Sequence, residues 1–161
     1  DPGDDAYIFK QYTGGLAKVR FPDYRLAYEG VDLPNIRVFR SQIELFREFM
    51  ERATPSPEQR ANIDYMLLLG EMFTLIVYAQ LILENCGIYK VDSDIVDRIF
   101  NLLVRDFSQY ALTQITGAVN TNEQEKYLRK MLMNPVIDPA QEMRLWKDHV
   151  EVLNGAYVMN P

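Results

Sequence analysis

Residues 65–83 read Tyr-Met-Leu-Leu-Leu-Gly-Glu-Met-Phe-Thr-Leu-Ile-Val-Tyr-Ala-Gln-Leu-Ile-Leu, apolar at almost every position with one carboxylate, Glu71, near the middle. A helix that is apolar all round is covered on every side, by other helices or by lipid. At about 1.5 Å per residue the run is just long enough for a bilayer core. Glu71 and Gln80 are costly in lipid, no Lys/Arg cluster flanks the run, and soluble-type helix caps bracket it. The pattern therefore predicts the central helix of a soluble helical bundle, with no membrane span.

The remaining periodicity is helical as well. Ile36, Phe39, Ile43, Phe46, Met50 and Ala53 step by three and four, one apolar stripe on a helix that begins near Asn35 and stops at Thr54-Pro55-Ser56-Pro57. Ser56 with Gln59 forms a capping-box pattern and Pro57 suits the first helical position, so a second helix of nearly thirty residues is expected from there to about Glu84, with Gly87 as its stop. Asp92 or Ser93 opens a third helix through Ile95, Ile99, Leu102, Leu103, Phe107, Tyr110 and Leu112, ending at Thr116-Gly117. Thr121 with Gln124 repeats the capping box and opens a fourth, halted at Asn134-Pro135. Asp138-Pro139 starts a fifth, which ends at Asn154-Gly155. Joined by short turns, these predict an all-α fold, an antiparallel up-and-down bundle of four to five helices.

Residues 1–34 break this regime. Glycines and prolines interrupt them repeatedly, and tyrosines and phenylalanines fill the intervals. They predict an irregular aromatic arm, with a short strand near Leu16–Phe21, packing on a single bundle domain of residues 35–161. The aromatic side chains either lie across the bundle or line a contact with a neighbouring domain or subunit.

Composition narrows the function. The 161-residue chain is 48% hydrophobic, enough for one domain with a real core. Its net charge of −6, with both signs interspersed, argues against nucleic acid as a partner. Its single cysteine, Cys86, can form no intrachain disulfide, which points to a reducing, cytoplasmic setting. The chain opens on Asp1 rather than Met, as expected of a processed chain or an excised fragment.

Little in the residues alone suggests a catalyst. A di-iron bundle needs Glu-x-x-His on two helices, and the one histidine, His149, sits in Trp-Lys-Asp-His-Val-Glu without such a partner. One Cys and one His cannot supply a four-ligand zinc site. Cys86 near a helix C-terminus has its thiol pKa raised rather than lowered by the helix dipole. Gly14-Gly15 lacks the strand and helix of a phosphate cradle. Glu71 is the group that needs a partner, and Arg105 in Val-Arg-Asp-Phe lies in the apolar region of the third helix. The expectation is a buried Glu71–Arg105 ion pair locking the second helix against the third, structural rather than catalytic.

Residues 69–84, Leu-Gly-Glu-Met-Phe-Thr-Leu-Ile-Val-Tyr-Ala-Gln-Leu-Ile-Leu-Glu, together with Asp97–Tyr110 and the tail Asn-Gly-Ala-Tyr-Val-Met-Asn-Pro, carry a resemblance. Over about residues 35–161 the chain resembles the C-terminal helical region of long bacterial acyl-CoA dehydrogenase-like flavoproteins. The resemblance implies a non-catalytic accessory domain that packs on upstream catalytic domains or a partner subunit. FAD would be bound by the parent and not by this chain. In the family a Tyr-Glu-Gly-Thr motif carries the catalytic base; here Tyr28-Glu29-Gly30 is followed by Val31, and Glu29 reads as a surface carboxylate before it reads as that base. Two further readings stand beside this one. One is a free-standing helical interaction module whose arm and exposed bundle face bind another protein, with a homo-oligomer among the partners considered; the other is a bundle holding a lipid or acyl chain between its second and third helices.

Overall fold

The computed structural model describes residues 23–156, and within them every regular element is helical. Seven α-helices follow in order: α1 (Tyr24–Ala27), α2 (Pro34–Arg52), α3 (Pro57–Ala61), α4 (Ile63–Tyr89), α5 (Ser93–Gly117), α6 (Asn122–Met131) and α7 (Pro139–Leu145). The expected strand near Leu16–Phe21 lies outside the described residues. The all-α expectation holds.

Helix starts follow local chemistry. Ser56–Gln59 and Thr121–Gln124 both form complete capping boxes. Asp92 and Asp138 cap α5 and α7 by accepting from the backbone N–H two residues on, at 2.8 and 2.9 Å. The expected second helix differs at both ends. It breaks at Asn62, whose extended backbone closes α3 while its side chain accepts from Tyr65 N at 3.0 Å and opens α4. At the far end α4 runs through Gly87, and Lys90, in the left-handed conformation at φ 52°, closes it by donating its N–H to Cys86 O.

The fourth helix also stops early, at Met131. Residues 132–138 then run as an extended strap back over α5 and the start of α2. Ser108 Oγ donates to Met133 O at 2.8 Å and accepts from Met133 N at 3.1 Å, and Val136 N donates to Asn35 Oδ1 at 2.8 Å. Beyond α7 the helix widens into a π turn, Trp146–Val150, tightens to a 3₁₀ turn, Glu151–Leu153, and ends where Gly155 takes φ +80°.

The central helix is α5, not the apolar α4. Helix α5 packs against α2, α4, α6 and α7, whereas α4 packs along α5 and otherwise meets the short α1 and α3. The core is aromatic. Phe39 stands edge-on to both Phe100 and Phe107, and Phe46 stands edge-on to Phe107, at centroid distances of 5.6–6.0 Å. Tyr28 reaches in from the segment after α1 to meet Phe100 edge-on at 6.1 Å, so this part of the aromatic arm does lie on the bundle.

Candidate functional site

Helix α4 decides where a partner could bind. Its buried residues, Tyr65, Leu69, Met72, Ile76, Ala79, Gln80 and Leu83, recur every three or four positions and form one face. The opposite face is apolar too. Leu67, Leu81 and Ile88 expose 60%, 49% and 73% of their surface, and Ile63 and Tyr78 lie on the same side. Among the described residues the run is therefore not covered on every side as expected: α5 covers one side, and no described element packs on the outer one. Helix α4 is long and apolar enough to cross a membrane by length and composition.

Two hollows flank that open face. The first is a groove of about 500 Å³ between α2 and α4, walled by Ile43, Phe46, Met50, Leu69, Phe73 and Ile76. Tyr24 and Arg47 stand at its rim. There the Tyr24 hydroxyl donates to Glu44 Oε1, Arg25 Nη2 bonds the same oxygen at 3.0 Å, and Arg47 Nε bonds Glu44 Oε2 at 2.9 Å. The Tyr24 hydroxyl and the two guanidinium groups hold the Glu44 carboxyl below its usual range. Partial burial, then Glu44, pushes Tyr24 up to about 12. The second hollow, about 550 Å³, lies on the outer side of α4 over Ile63, Leu67, Gly70 and Thr74. A Cβ on Gly70 would meet nothing within 4 Å, so no contact within the described chain requires glycine there.

The apolar groove thus lies between the first and second long helices. The second and third, α4 and α5, between which one alternative reading placed an acyl chain, pack directly on each other.

The Glu71–Arg105 pair does not form. Both side chains are exposed, and they belong to different sides of the bundle. Glu71 precedes the buried Met72 by one residue, and a 100° step carries it out of the packed face toward Tyr110. Partial burial first, and the Glu71 carboxylate after it, raise the Tyr110 pKa. Arg105 follows the buried Val104 and faces the strap, in a shallow hollow with Ser108, Leu132 and Pro135. Glu29 is exposed after α1, in the turn closed by Gly30 at φ +76°. His149 lies in the π turn, and Cys86 is partly buried with its thiol pushed up by that burial. Among the described residues no cluster of three or more His, Cys, Asp or Glu is placed to hold a metal ion.

The polar groups that do converge are different ones. Asp97, only 2% exposed, accepts from Asn35 N at 2.8 Å, Asn35 Nδ2 at 2.7 Å and Gln141 Nε2 at 3.3 Å. Gln42 donates to Val104 O, Ser108 Oγ and Met131 O at 2.9–3.2 Å. Both sit inside apolar stripes, Gln42 between Phe39 and Phe46 and Asp97 between Val96 and Phe100. A polar residue in register with a buried stripe was the signal that could have found them.

Against family models, curated proteins and solved structures, the chain shows no match.

Proposed function

We propose that this chain is an assembly domain: a helical unit, itself non-catalytic, that packs against a larger acyl-CoA dehydrogenase-type flavoenzyme and helps hold it together. The observation that carries this reading is the outer face of α4. An exposed apolar strip along a 27-residue helix is larger than scattered surface hydrophobes account for, and such patches mark sites of association. The flavoprotein context comes from the resemblance over residues 35–161, with FAD held by upstream domains. Glu29, exposed in a turn, serves no catalytic step in this reading.

The test is made on the natural gene product that contains this chain. Purified from its source, it is expected to carry flavin absorbance near 450 nm and to lose its assembled mass when residues 35–161 are deleted. A product without flavin-binding domains overturns the dehydrogenase context and leaves the free-standing interaction module. The α2/α4 groove favours one other reading, an apolar-chain binder. Native mass spectrometry showing a co-purified lipid that is lost in Phe73→Asp would establish it in place of the assembly role.

A further inference from the structure

The two halves of the outer face of α4 differ in shape. The N-terminal half is hollow, floored by Gly70 and rimmed by Ile63, Leu67 and Thr74, with Arg60 and Glu71 at its edge. The C-terminal half is a ridge of exposed side chains, Tyr78, Leu81 and Ile88, with Asn85 between the last two. A hollow followed by a ridge on one straight element complements a second copy of itself running the opposite way.

Spacing agrees with that pairing. Leu67, Thr74, Leu81 and Ile88 recur every seven residues, the period at which a helix keeps one edge toward a partner. Turned antiparallel about a point between Val77 and Tyr78, the strip maps onto itself: Leu67 meets Ile88 of the second copy, and Thr74 meets its Leu81. The same register places Asp64, in the first turn, level with Val91 of the second copy, and Gly70 level with its Asn85. Antiparallel alignment also opposes the two helix dipoles favourably. The helix is about 40 Å long, and the paired strips with their flanks would bury on the order of 1,000 Å² in all, near the lower bound for a specific interface.

We infer that the outer face of α4 is an isologous dimer seam, with α4 of one copy packed antiparallel on α4 of another. This inference rests on the assembly reading and names the partner at that surface.

Sedimentation equilibrium of the protein between 1 and 100 µM tests it. The wild type is expected to dimerise, and Leu81→Lys, which places two charges in each seam, is expected to weaken the dimer at least 100-fold. Circular dichroism should stay unchanged, because the residue is exposed. In a Cys86→Ser background, Tyr78→Cys lies beside the two-fold axis and should oxidise to an interchain disulfide. Ile63→Cys would sit about 40 Å from its mate and should not.

A monomeric wild type at 100 µM, a dimer indifferent to Leu81→Lys, or equal cross-linking of the two cysteine variants overturns the inference. So does flotation of the protein with phosphatidylcholine vesicles without dimerisation. If the flavoenzyme still assembles through another surface, the seam fails and the assembly reading survives. If the natural product assembles with nothing, both fall.

Discussion

The side-chain amides of Gln59 and Gln124 hydrogen-bond each other in both directions, Gln59 Nε2 to Gln124 Oε1 at 2.8 Å and Gln124 Nε2 to Gln59 Oε1 at 2.9 Å. Each glutamine is also the N3 residue of a capping box, its carbonyl accepting the backbone N–H of Ser56 or Thr121 at 2.9 Å. Gln124 Nε2 reaches Ala53 O at 3.1 Å as well, at the end of α2. Two helix starts and one helix end are thus tied at a single point.

Removing that knot should cost more than removing a cap. Gln124→Ala is expected to destabilise by about 2–3 kcal/mol, because a cap is lost and groups on Gln59 and Ala53 lose their partner. Gln59→Ala should cost about 1–2 kcal/mol. In a double-mutant cycle read by urea unfolding, the two should couple by at least about 0.5 kcal/mol. Simple additivity would mean that the reciprocal bond contributes nothing.

Asp97→Asn tests the clamp under α2. The carboxylate receives three N–H groups, two from Asn35 and one from Gln141, and an amide would turn its own NH₂ toward donors. We expect destabilisation by about 2–4 kcal/mol, with the backbone and side-chain N–H resonances of Asn35 moving toward their free-peptide positions. Asp97→Asn at wild-type stability would show that the clamp does not hold α2.

The rim of the groove should give two pH signatures. Glu44 has a folded pKa below its unfolded value, so its contribution is complete above about pH 4.5 and is lost as pH falls through the lower folded value. Glu44→Gln should flatten that acid limb. Tyr24 is shifted the other way, from 10.0 to about 12, so the stability from its neutral hydroxyl is full below pH 10 and fades as pH rises toward 12. Difference absorbance near 295 nm between wild type and Tyr24→Phe should show one phenol titrating late.

Glu71→Gln and Arg105→Met should each leave the melting temperature within about 2 °C of wild type and combine additively. Both groups are exposed and on separate sides. A larger, coupled effect would restore the locking pair between the helices.

Cys86 should react with iodoacetamide at neutral pH more slowly than a free cysteine. Burial raises its pKa and lowers the thiolate fraction. Faster alkylation than a model thiol would contradict that environment.

Much of the fold was legible because its signals are local. The Ser56–Gln59 and Thr121–Gln124 boxes, Asp92, Asp138 and the three-four stripe from Ile36 to Ala53 each act within one or two turns, and each sits where the sequence puts it. Misreadings arose where a local signal was ambiguous or where the outcome depended on distant chain. Asn62 breaks a helix that apolar content alone would continue. Gly87 stays helical, since a glycine can end a helix but does not have to. The outer face of α4 and the Glu71–Arg105 pair share one cause: apolar composition tells that a surface seeks cover and not which neighbour arrives. The aromatic groove fared likewise, because its walls come from α2 and α4, between Ile43 and Ile76, and no single periodicity spans both.

The clamp at Asp97 also orders events in time. Its carboxylate lies on α5, but its partners are Asn35, before it, and Gln141, far after it, while Asn35 in turn waits for the backbone of Val136. During synthesis α2, α4 and α5 can all emerge before the strap exists to close the lower end of the core. Until about residue 141 has cleared the ribosome, a polar group that the finished protein encloses has only part of its shell. A nascent chain halted before the strap should therefore stay protease-sensitive at the start of α2, and become resistant within the next few residues of growth.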